Sequence, residues 1–507
     1  MPSRLSALLA LVLAVAFAAP PADAQDAMPT RTLPADTTIS STDEVTIRGE
    51  SVPYDVITGT QPVYGDHDST IAALHYTYYR RSDVDDRSRR PLVVSFNGGP
   101  GSGSLWMHLG YTSPKKLKIS DEGYPVQPYG IEDNPHSILD VADIVYVNPV
   151  NTGFSRILDE SVDRETFFGV NADVAYLADW IDTFVSRHNR WTSPKYLIGE
   201  SYGTTRVAGL AGELQNRHWM YLNGVILVSP TGLGLETPGA SPRSEALKLP
   251  YYAATAWYHE KLPADLQRRD LPDLLSEVED YTIEEYVPAL TRAGSIDDDR
   301  RQQVAEQVAR YAGLSQPFVL DHNLAVPASA FWKELLQEDG YTVGRLDSRY
   351  RGVDVTNAGD EYDYPAELTS WNHAFTPAIN HYLRDDLGFE TDLTYNVFGP
   401  VRPWEDDDND TGEQLRQAMA QNPFLHVMVQ SGYYDGATDY FSAKTVLWNL
   451  GTRDTMRERL RFEGYRSGHM MYLRSEDLET SNQDIRQFIE DSIPEDGMPA
   501  RYGPARR

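Results

Sequence analysis

The sequence predicts an α/β protein with a mostly parallel central sheet. Short apolar runs at 92–96, 144–147, 196–198, 225–228 and 424–429 alternate with amphipathic segments. Unbroken apolar runs of this length are typical of strands that are covered on both faces. Their alternation with helices indicates α/β architecture.

One helix of this architecture can be placed in detail. Apolar residues recur every three or four positions from Val174 to Val185, so they share one face of a helix. Asn171 precedes this run and is the expected N-cap. Upstream, alternating residues at about 46–79 predict antiparallel strands along one edge of the sheet.

The α/β rhythm is interrupted once. Residues 235–380 are charged, aromatic and helix-like, so we expect a largely helical cap inserted into an α/β core at 46–234 and 381–495. Residues 25–45 are rich in Pro, Thr, Asp and Ser and are expected to form a flexible lead-in. Residues 496–507 are expected to form a flexible tail.

The first 24 residues predict an export signal. Arg4 supplies a positive start, an apolar run follows at 5–18, and 22–24 (ADA) is a small-x-small cleavage site. We therefore expect a mature protein that begins near Gln25 and works in the periplasm or outside the cell. No other stretch reaches the apolar length that a membrane span needs, so no membrane anchor is expected.

The composition excludes several classes of function. Lys and Arg number 45 against 75 Asp and Glu, which gives a formal net charge of −30. Such a field repels phosphate backbones, and no basic stripe reverses it, so a nucleic-acid partner is not expected. The chain contains no cysteine, which rules out thiol catalysis, disulfide bonds and cysteine-bound zinc.

The strongest local signal is the pentapeptide GESYG at 199–203. It follows the predicted strand at 196–198 and precedes a helical stretch, so Ser201 lies on a tight strand-to-helix turn. Side chains at the two glycine positions would clash with the neighbouring strand and helix. The pattern predicts a nucleophile elbow with Ser201 as the nucleophile.

A serine nucleophile needs a base that a carboxylate orients. Asp435 lies on a loop beyond the strand at 424–429, with Asp439 as the rival carboxylate. His469 follows another predicted strand at 460–464. We predict Asp435 as the orienting acid and His469 as the general base, and the order Ser, Asp, His is the one expected of an α/β-hydrolase fold.

Acyl transfer also needs hydrogen-bond donors for the tetrahedral oxyanion. The strand at 92–96 runs into a glycine-rich loop at 97–103 (NGGPGSG), where backbone amides can approach a substrate closely. The backbone N–H groups of Gly99 and Tyr202 are the predicted oxyanion hole.

This chemistry requires no metal and no cofactor. The acidic run at 405–410 lacks the glycine and the terminal glutamate of an EF-hand calcium loop, so a solvated acidic loop is the preferred interpretation. The segment 66–68 (DHD) is interpreted as a turn.

Four collinear motifs resemble those of the serine carboxypeptidases, peptidase family S10. They lie at 97–101 (NGGPG), 148–155 (NPVNTGFS), 199–203 (GESYG) and 468–470 (GHM). The resemblance implies an α/β-hydrolase fold with a helical cap, and the removal of single residues from the free C-terminus of peptide substrates. In its lack of cysteine, the chain resembles the cysteine-poor bacterial branch of this family.

The resemblance also implies a site for the substrate α-carboxylate. In the family, the loop Asn and the Glu before the nucleophile hydrogen-bond this group, which corresponds to Asn97 and Glu200 here, with the Gly98 backbone nearby. Two ionised carboxylates repel each other, so Glu200 is expected to be protonated when it binds substrate. Partial burial and nearby negative charge would raise its pKa.

Several positions depart from the pattern of the well-known eukaryotic members. Ser95 and Ser102 replace a Trp and a Cys, and the segment 106–110 lacks the second Glu that shares a proton with the first. We therefore expect a pH optimum displaced toward neutrality. His108 lies in this segment, where a structural histidine is favoured over a cationic partner for the substrate.

Two other functions remain open at this point. A serine esterase or acyltransferase of the same fold would use the same triad but would have no use for the Asn97 and Glu200 pair. A catalytically silent binding protein would keep the fold, but the intact Ser, Asp and His argue against it.

Overall fold

The computed structural model describes residues 31–235, 242–359, 361–406, 409–451, 453–495 and 497–502. The predicted export signal at 1–24 and the first part of the predicted lead-in lie outside these residues. In the part of the chain that is described, no helix is long and apolar enough to cross a membrane.

Strand positions follow the apolar runs of the sequence. The strands are β1 (Thr37–Ile47), β2 (Glu50–Tyr64), β3 (Thr70–Arg81), β4 (Leu92–Phe96), β5 (Lys115–Leu117), β6 (Ile131–Asp133), β7 (Asp143–Val147), β8 (Arg156–Ile157), β9 (Lys195–Glu200), β10 (Gly224–Val228), β11 (Thr342–Val343), β12 (Arg351–Gly352), β13 (His426–Gly432) and β14 (Leu460–Tyr465). Every run that predicted a strand overlaps one of them.

The described residues form a 10-stranded sheet with the order β1-β2-β3-β7-β4-β9-β10-β13-β14, in which β8 pairs with β3. Neighbouring strands from β7 to β14 are parallel. Strands β1 to β3 are antiparallel and form one edge. The predicted mostly parallel sheet with an antiparallel edge is confirmed.

Part of the predicted flexible lead-in is strand. Residues 37–45 form most of β1, which pairs with β2 along its whole length from Thr37 to Ile47. Val45 and Ile47 bury their side chains in the core. The Thr- and Ser-rich composition that suggested a mobile segment is compatible with an edge strand whose residues are mostly exposed.

The α-helices are α1 (Leu105–Met107), α2 (Val170–Arg187), α3 (Tyr202–Arg217), α4 (Pro242–Ala246), α5 (Leu249–Tyr258), α6 (Ala264–Gln267), α7 (Leu271–Tyr281), α8 (Val287–Thr291), α9 (Asp298–Ala312), α10 (Gln316–Asp321), α11 (Ala328–Glu334), α12 (Ala366–His381), α13 (Thr411–Gln421), α14 (Tyr440–Leu450), α15 (Asp454–Arg457) and α16 (Ser475–Ser492). The expected cap of α2 is wrong: Asn171 is its second residue, and Gly169 holds the N-cap position.

Helices cover both faces of the parallel strands. In β9, Tyr196 and Ile198 belong to the cluster that contains Phe488 of α16, whereas Leu197 belongs to the cluster that contains Leu177 of α2 and residues of α3. Successive residues of a strand point to opposite faces, so the central residues of each strand must be apolar on both faces. This burial explains the unbroken apolar runs of the sequence.

The chain between β10 and β13 is largely helical where it is described, from α4 to α12, with β11 and β12 forming a short hairpin. The predicted helical pieces at 298–311 and 329–336 correspond to α9 and α11. Apolar residues of this region form a third cluster, which also includes Tyr434 and Phe441 beyond β13. The boundaries of the cap at 235–380 stay a prediction.

The predicted flexible tail at 496–507 is anchored in part. The Tyr502 hydroxyl donates a hydrogen bond to the Met419 carbonyl oxygen of α13 at 2.7 Å, and the Arg459 guanidinium donates to the Tyr502 oxygen at 3.0 Å. The composition of the segment gives no sign of this aromatic anchor.

Candidate active site

Ser201 lies at the junction of β9 and α3, with φ 58° and ψ −127°. A non-glycine residue rarely adopts a positive φ, so this backbone is strained. Its N–H donates to the Val228 carbonyl oxygen at 3.0 Å. A Cβ atom at Gly199 would lie 2.1 Å from the Gly203 carbonyl oxygen, so the turn cannot form with a side chain there.

The sheet register places the three predicted triad loops at the carboxyl ends of the parallel strands. Glu200, the last residue of β9, lies opposite Val228, and Val228 lies opposite Gln430 of β13. Strand β14 continues in register beside β13. The loops of Ser201, Asp435 and His469 therefore leave the sheet at the carboxyl ends of the parallel strands β9, β13 and β14, where active sites of such sheets form.

Asp435 and His469 are in direct contact. The His469 Nδ1 atom lies 2.7 Å from Asp435 Oδ2. The other carboxylate oxygen, Oδ1, accepts hydrogen bonds from the backbone N–H of Ala437 at 2.8 Å and of Thr438 at 3.1 Å. A carboxylate fixed in this way orients the imidazole and leaves Nε2 free of the proton when the ring is neutral.

The electrostatics of His469 favour a base that holds its proton. Burial lowers the pKa of the imidazole, but the Asp435 carboxylate opposes this effect by charge and by hydrogen bond, and Glu200 acts in the same direction. The net result is a His469 pKa above its usual value. A proton taken from the serine is therefore stabilised on the imidazole.

Asp439, the rival carboxylate, has a different task. Its Oδ1 accepts the Ser442 backbone N–H at 2.8 Å, which makes it the N-cap of α14. Burial raises the pKa of Asp439 to about 6. The carboxylate that contacts the imidazole is that of Asp435.

Asn97 and Glu200 meet beside the elbow. The Asn97 Nδ2 group donates to Glu200 Oε1 at 2.9 Å, and both side chains are buried. The backbone N–H of Met107 donates to Asn97 Oδ1 at 3.0 Å, which fixes the orientation of the amide. The structure thus brings together the two residues predicted to hold the substrate carboxylate.

Burial is the main reason that the pKa of Glu200 is raised. The nearby imidazole of His469 and hydrogen bonds from Tyr472 and Asn97 lower it, while the charge of Asp435 raises it. The net direction is upward, which favours the protonated carboxyl group that the sequence analysis expected.

The glycine-rich loop passes directly over the elbow. A Cβ atom at Gly98 would lie 2.5 Å from the backbone nitrogen of Tyr202 and 2.6 Å from the Glu200 carbonyl oxygen, and Gly99 has a φ of 105°. Tyr202 is the first residue of α3, so its N–H has no acceptor within the helix. The backbone therefore brings Gly98 close to Tyr202, and the oxyanion hole of Gly99 and Tyr202 stays a prediction.

Arg206 supports this loop from below and was not among the predicted site residues. Its guanidinium donates to the carbonyl oxygens of Asn97 at 2.7 Å and Pro100 at 3.3 Å, and to the Asp173 carboxylate at 2.7 Å. All of Arg206 is buried. A basic residue inside a predicted helix gives no signal of such a role.

Tyr472 is a second residue that the sequence analysis did not single out. Its hydroxyl donates a hydrogen bond to Glu200 Oε2. The only signal in the sequence is its position three residues after His469, in the 3-10 turn Met471–Leu473. Contact with a carboxyl group 272 positions away cannot be read from local pattern.

His108 is structural. Its ring stacks on Tyr146 with centroids 4.5 Å apart, and its Nε2 lies 2.6 Å from the Tyr79 hydroxyl oxygen. Burial lowers the pKa of His108 to about 3. A neutral, buried imidazole agrees with the structural role that the sequence favoured over a cationic one.

Residues 344–348, here called the strap, lie in the helical region and contact the loops of Asp435 and His469. The Leu346 carbonyl oxygen accepts the His469 backbone N–H at 2.6 Å, and the Arg345 carbonyl oxygen accepts the Gly436 N–H at 2.9 Å. A Cβ atom at Gly468 would lie 2.5 Å from the Leu346 oxygen. The strap therefore packs against the main chain directly after Asp435 and at Gly468 and His469.

Metal binding has no identified site in the described residues, where no group of three or more His, Cys, Asp and Glu side chains could hold an ion. Two residues of the acidic run at 405–410, at 407–408, lie outside them. The segment Asp66–Asp68 forms a 3-10 turn, as interpreted.

Comparison with known proteins points to one family. The family model of the serine carboxypeptidases matches residues 63–232. The chain is 26% identical over 196 residues to the retinoid-inducible serine carboxypeptidase of Homo sapiens, covering 38% of this chain and 40% of that protein. It is 33% identical over 127 residues to a pheromone-processing carboxypeptidase of Ogataea parapolymorpha, covering 25% and 19%. The chain thus spans two fifths or less of the length of these curated relatives.

Among solved structures, a prohormone-processing carboxypeptidase from Saccharomyces cerevisiae aligns with a TM-score of 0.52. The alignment covers 86% of this chain and 91% of that chain at 14% sequence identity, and it confirms the α/β-hydrolase fold class. The family match contains both the glycine-rich loop and the elbow. Residues 63–232 of the chain thus resemble the serine carboxypeptidase family.

Proposed function

We propose that this protein is an exported serine carboxypeptidase that releases residues from the free C-terminus of peptides. The observation that carries the proposal is the buried hydrogen bond between Asn97 and Glu200 beside the elbow serine. The contact between Asp435 and His469 supplies the acid and base that a serine nucleophile requires.

In the proposed reaction, His469 Nε2 accepts the hydroxyl proton of Ser201 while Oγ attacks the carbonyl carbon of the last peptide bond. The N–H groups of Gly99 and Tyr202 stabilise the oxyanion. The C–N bond then breaks, and the imidazolium returns the proton to the amine of the departing amino acid. A water molecule, deprotonated by the same imidazole, hydrolyses the acyl-enzyme and regenerates the serine.

Two groups hold the substrate carboxylate in this proposal. Protonated Glu200 donates one hydrogen bond, and the Asn97 amide donates another. The raised pKa of Glu200 keeps the proton at higher pH than in a solvated carboxyl group. The grip is complete below that pKa and is lost as pH rises through it. Catalysis needs neutral His469, so it is lost as pH falls through the raised imidazole pKa.

An esterase or acyltransferase would share the triad but would gain nothing from a buried acid and amide held together next to the nucleophile. The geometry therefore favours an enzyme that recognises a free carboxylate. Export through residues 1–24, with action in the periplasm or outside the cell, is part of the proposal and depends on the sequence of that segment.

The test compares one N-blocked dipeptide as free acid and as C-terminal amide, across roughly pH 4 to 8. We expect strong preference for the free acid, with activity lost in Ser201→Ala. With the free acid, the pH–activity profile should have a rising limb, where His469 loses its proton, and a falling limb at higher pH, where Glu200 loses its proton. With the amide, the profile should have only the rising limb. Equal cleavage of both substrates, or activity on simple esters alone, would refute the carboxylate site.

A further inference from the structure

Both oxygens of the Glu200 carboxyl group have a donor. Oε1 accepts from the Asn97 amide at 2.9 Å, and Oε2 accepts from the Tyr472 hydroxyl. The segment that carries a second acid in eukaryotic relatives, at 106–110, has none here. A phenol thus occupies the second hydrogen-bonding position on this carboxyl group.

The fold holds the Tyr472 ring firmly. The ring stacks on Tyr111 with centroids 4.6 Å apart and planes inclined by 13°. On one side, a Cβ atom at Gly110 would lie 2.7 Å from Tyr472 Cε2, so the glycine leaves room for the ring. Tyr472 is buried, and its short 3-10 turn follows the loop of the catalytic histidine. The phenol is therefore preorganised toward Glu200.

We propose that Tyr472 is a positioning residue, whose hydroxyl anchors one oxygen of Glu200 so that the carboxyl group faces the substrate carboxylate, and whose hydrogen bond limits the pH range over which free acids bind. The inference deepens the proposed function and rests on it. It adds a residue that acts through Glu200 without contact to the reacting atoms.

The physical argument compares the two protonation states of Glu200. A phenol donates more strongly to an ionised carboxylate than to a neutral acid, so the hydrogen bond from Tyr472 lowers the pKa of Glu200. Burial and the charge of Glu200 raise the pKa of Tyr472 well above its usual value, so the phenol keeps its proton. The other titratable groups that act on Glu200 are His469 and Asp435, and Tyr111 lies close by.

A phenol differs from a second acid in one respect. Two carboxyl groups in contact share a proton and lose their protons in two coupled steps. A phenol stays neutral, so a single ionisation, that of Glu200, governs the grip on the substrate. Removing the hydroxyl should raise the pKa of Glu200 and move the loss of free-acid binding to higher pH. A hydrogen bond to a charged group corresponds to about one pH unit.

The experiment measures KM and kcat against pH for the free-acid and amide dipeptides with Tyr472→Phe. We expect the rise in KM for the free acid to move upward by about one pH unit, with the amide profile unchanged. The matched control is Tyr111→Phe, because the Tyr111 hydroxyl bonds to Gln430 Oε1 at 2.7 Å and not to Glu200. This control should leave the free-acid profile in place.

A second background tests the route of the effect. In Glu200→Gln the falling limb should disappear, and adding Tyr472→Phe should then shift nothing. If Tyr472→Phe does not fold, 3-fluorotyrosine at position 472 keeps the shape but is a stronger donor, so the limb should move to lower pH. A wild-type enzyme without free-acid preference would refute the proposed function itself. If the wild type prefers the free acid but the falling limb does not move in Tyr472→Phe, or moves equally in Tyr111→Phe, the role of Tyr472 is refuted and the proposed function is not.

Discussion

Replacing Ser201 by glycine should make the protein more stable than replacing it by alanine. Both variants lack the hydroxyl, so the comparison isolates the backbone at φ 58° and ψ −127°. Strain in such a region costs about 1–3 kcal/mol for a residue with a Cβ atom. Glycine loses about 0.4–1 kcal/mol through its freer unfolded chain. The balance favours Ser201→Gly over Ser201→Ala by about 0.5–2 kcal/mol.

Thermal unfolding of the two variants measures this difference, which should appear as roughly 0.5–2 °C in Tm for a chain of this length. Ser69 provides the matched control, because it is exposed and has φ −72° and ψ 134°, an extended backbone that alanine adopts without strain. There the order should reverse, with alanine the more stable by about 0.4–1 kcal/mol. The same order at both positions, with alanine ahead, would show that the elbow holds no strain.

Three further outcomes follow from the geometry. Asp435→Asn should lower kcat by about 10⁴-fold with little change in KM. It should also move the acidic limb of the pH–activity profile to lower pH, because the Asp435 carboxylate raises the pKa of the His469 imidazole. The control Asp439→Asn, which keeps a helix cap, should retain activity. Gly199→Ala should yield little folded protein, since its Cβ would meet a backbone oxygen at 2.1 Å, whereas Gly294→Ala meets nothing within 4 Å and should express normally. Arg206→Met should cost about 3–5 kcal/mol in urea unfolding, because it leaves a buried carboxylate unpaired.

The parts of the fold that the sequence predicted well are those in which local pattern and burial coincide. Strands covered on both faces are apolar at most positions, so β4 appears in the sequence with the bounds that it has in the structure. The elbow combines a steric demand for two glycines with the order of strand and helix. Most of edge strand β1, at 37–45, escaped notice because its residues are largely polar and exposed.

The parts that the sequence did not predict depend on contacts between distant segments. Tyr472 reaches Glu200 across 272 positions, and Arg206 reaches Asn97 across 109. Neither residue carries a local motif, since a tyrosine in a turn and an arginine in a helix are ordinary. Residues whose role is to orient a functional group thus become visible only when the packing is known.

The strap has a consequence for how this protein can be altered. Its hydrogen bonds to His469 and Gly436 use main-chain atoms only, so the side chain of Leu346 can vary without loosening either contact. We therefore expect that deleting the helical region between β10 and β13, or exchanging it for that of a relative, would disturb the loops of Asp435 and His469. A chimera would have to keep the backbone hydrogen bonds of 344–348, because they fix the positions of the His469 and Asp435 loops relative to each other.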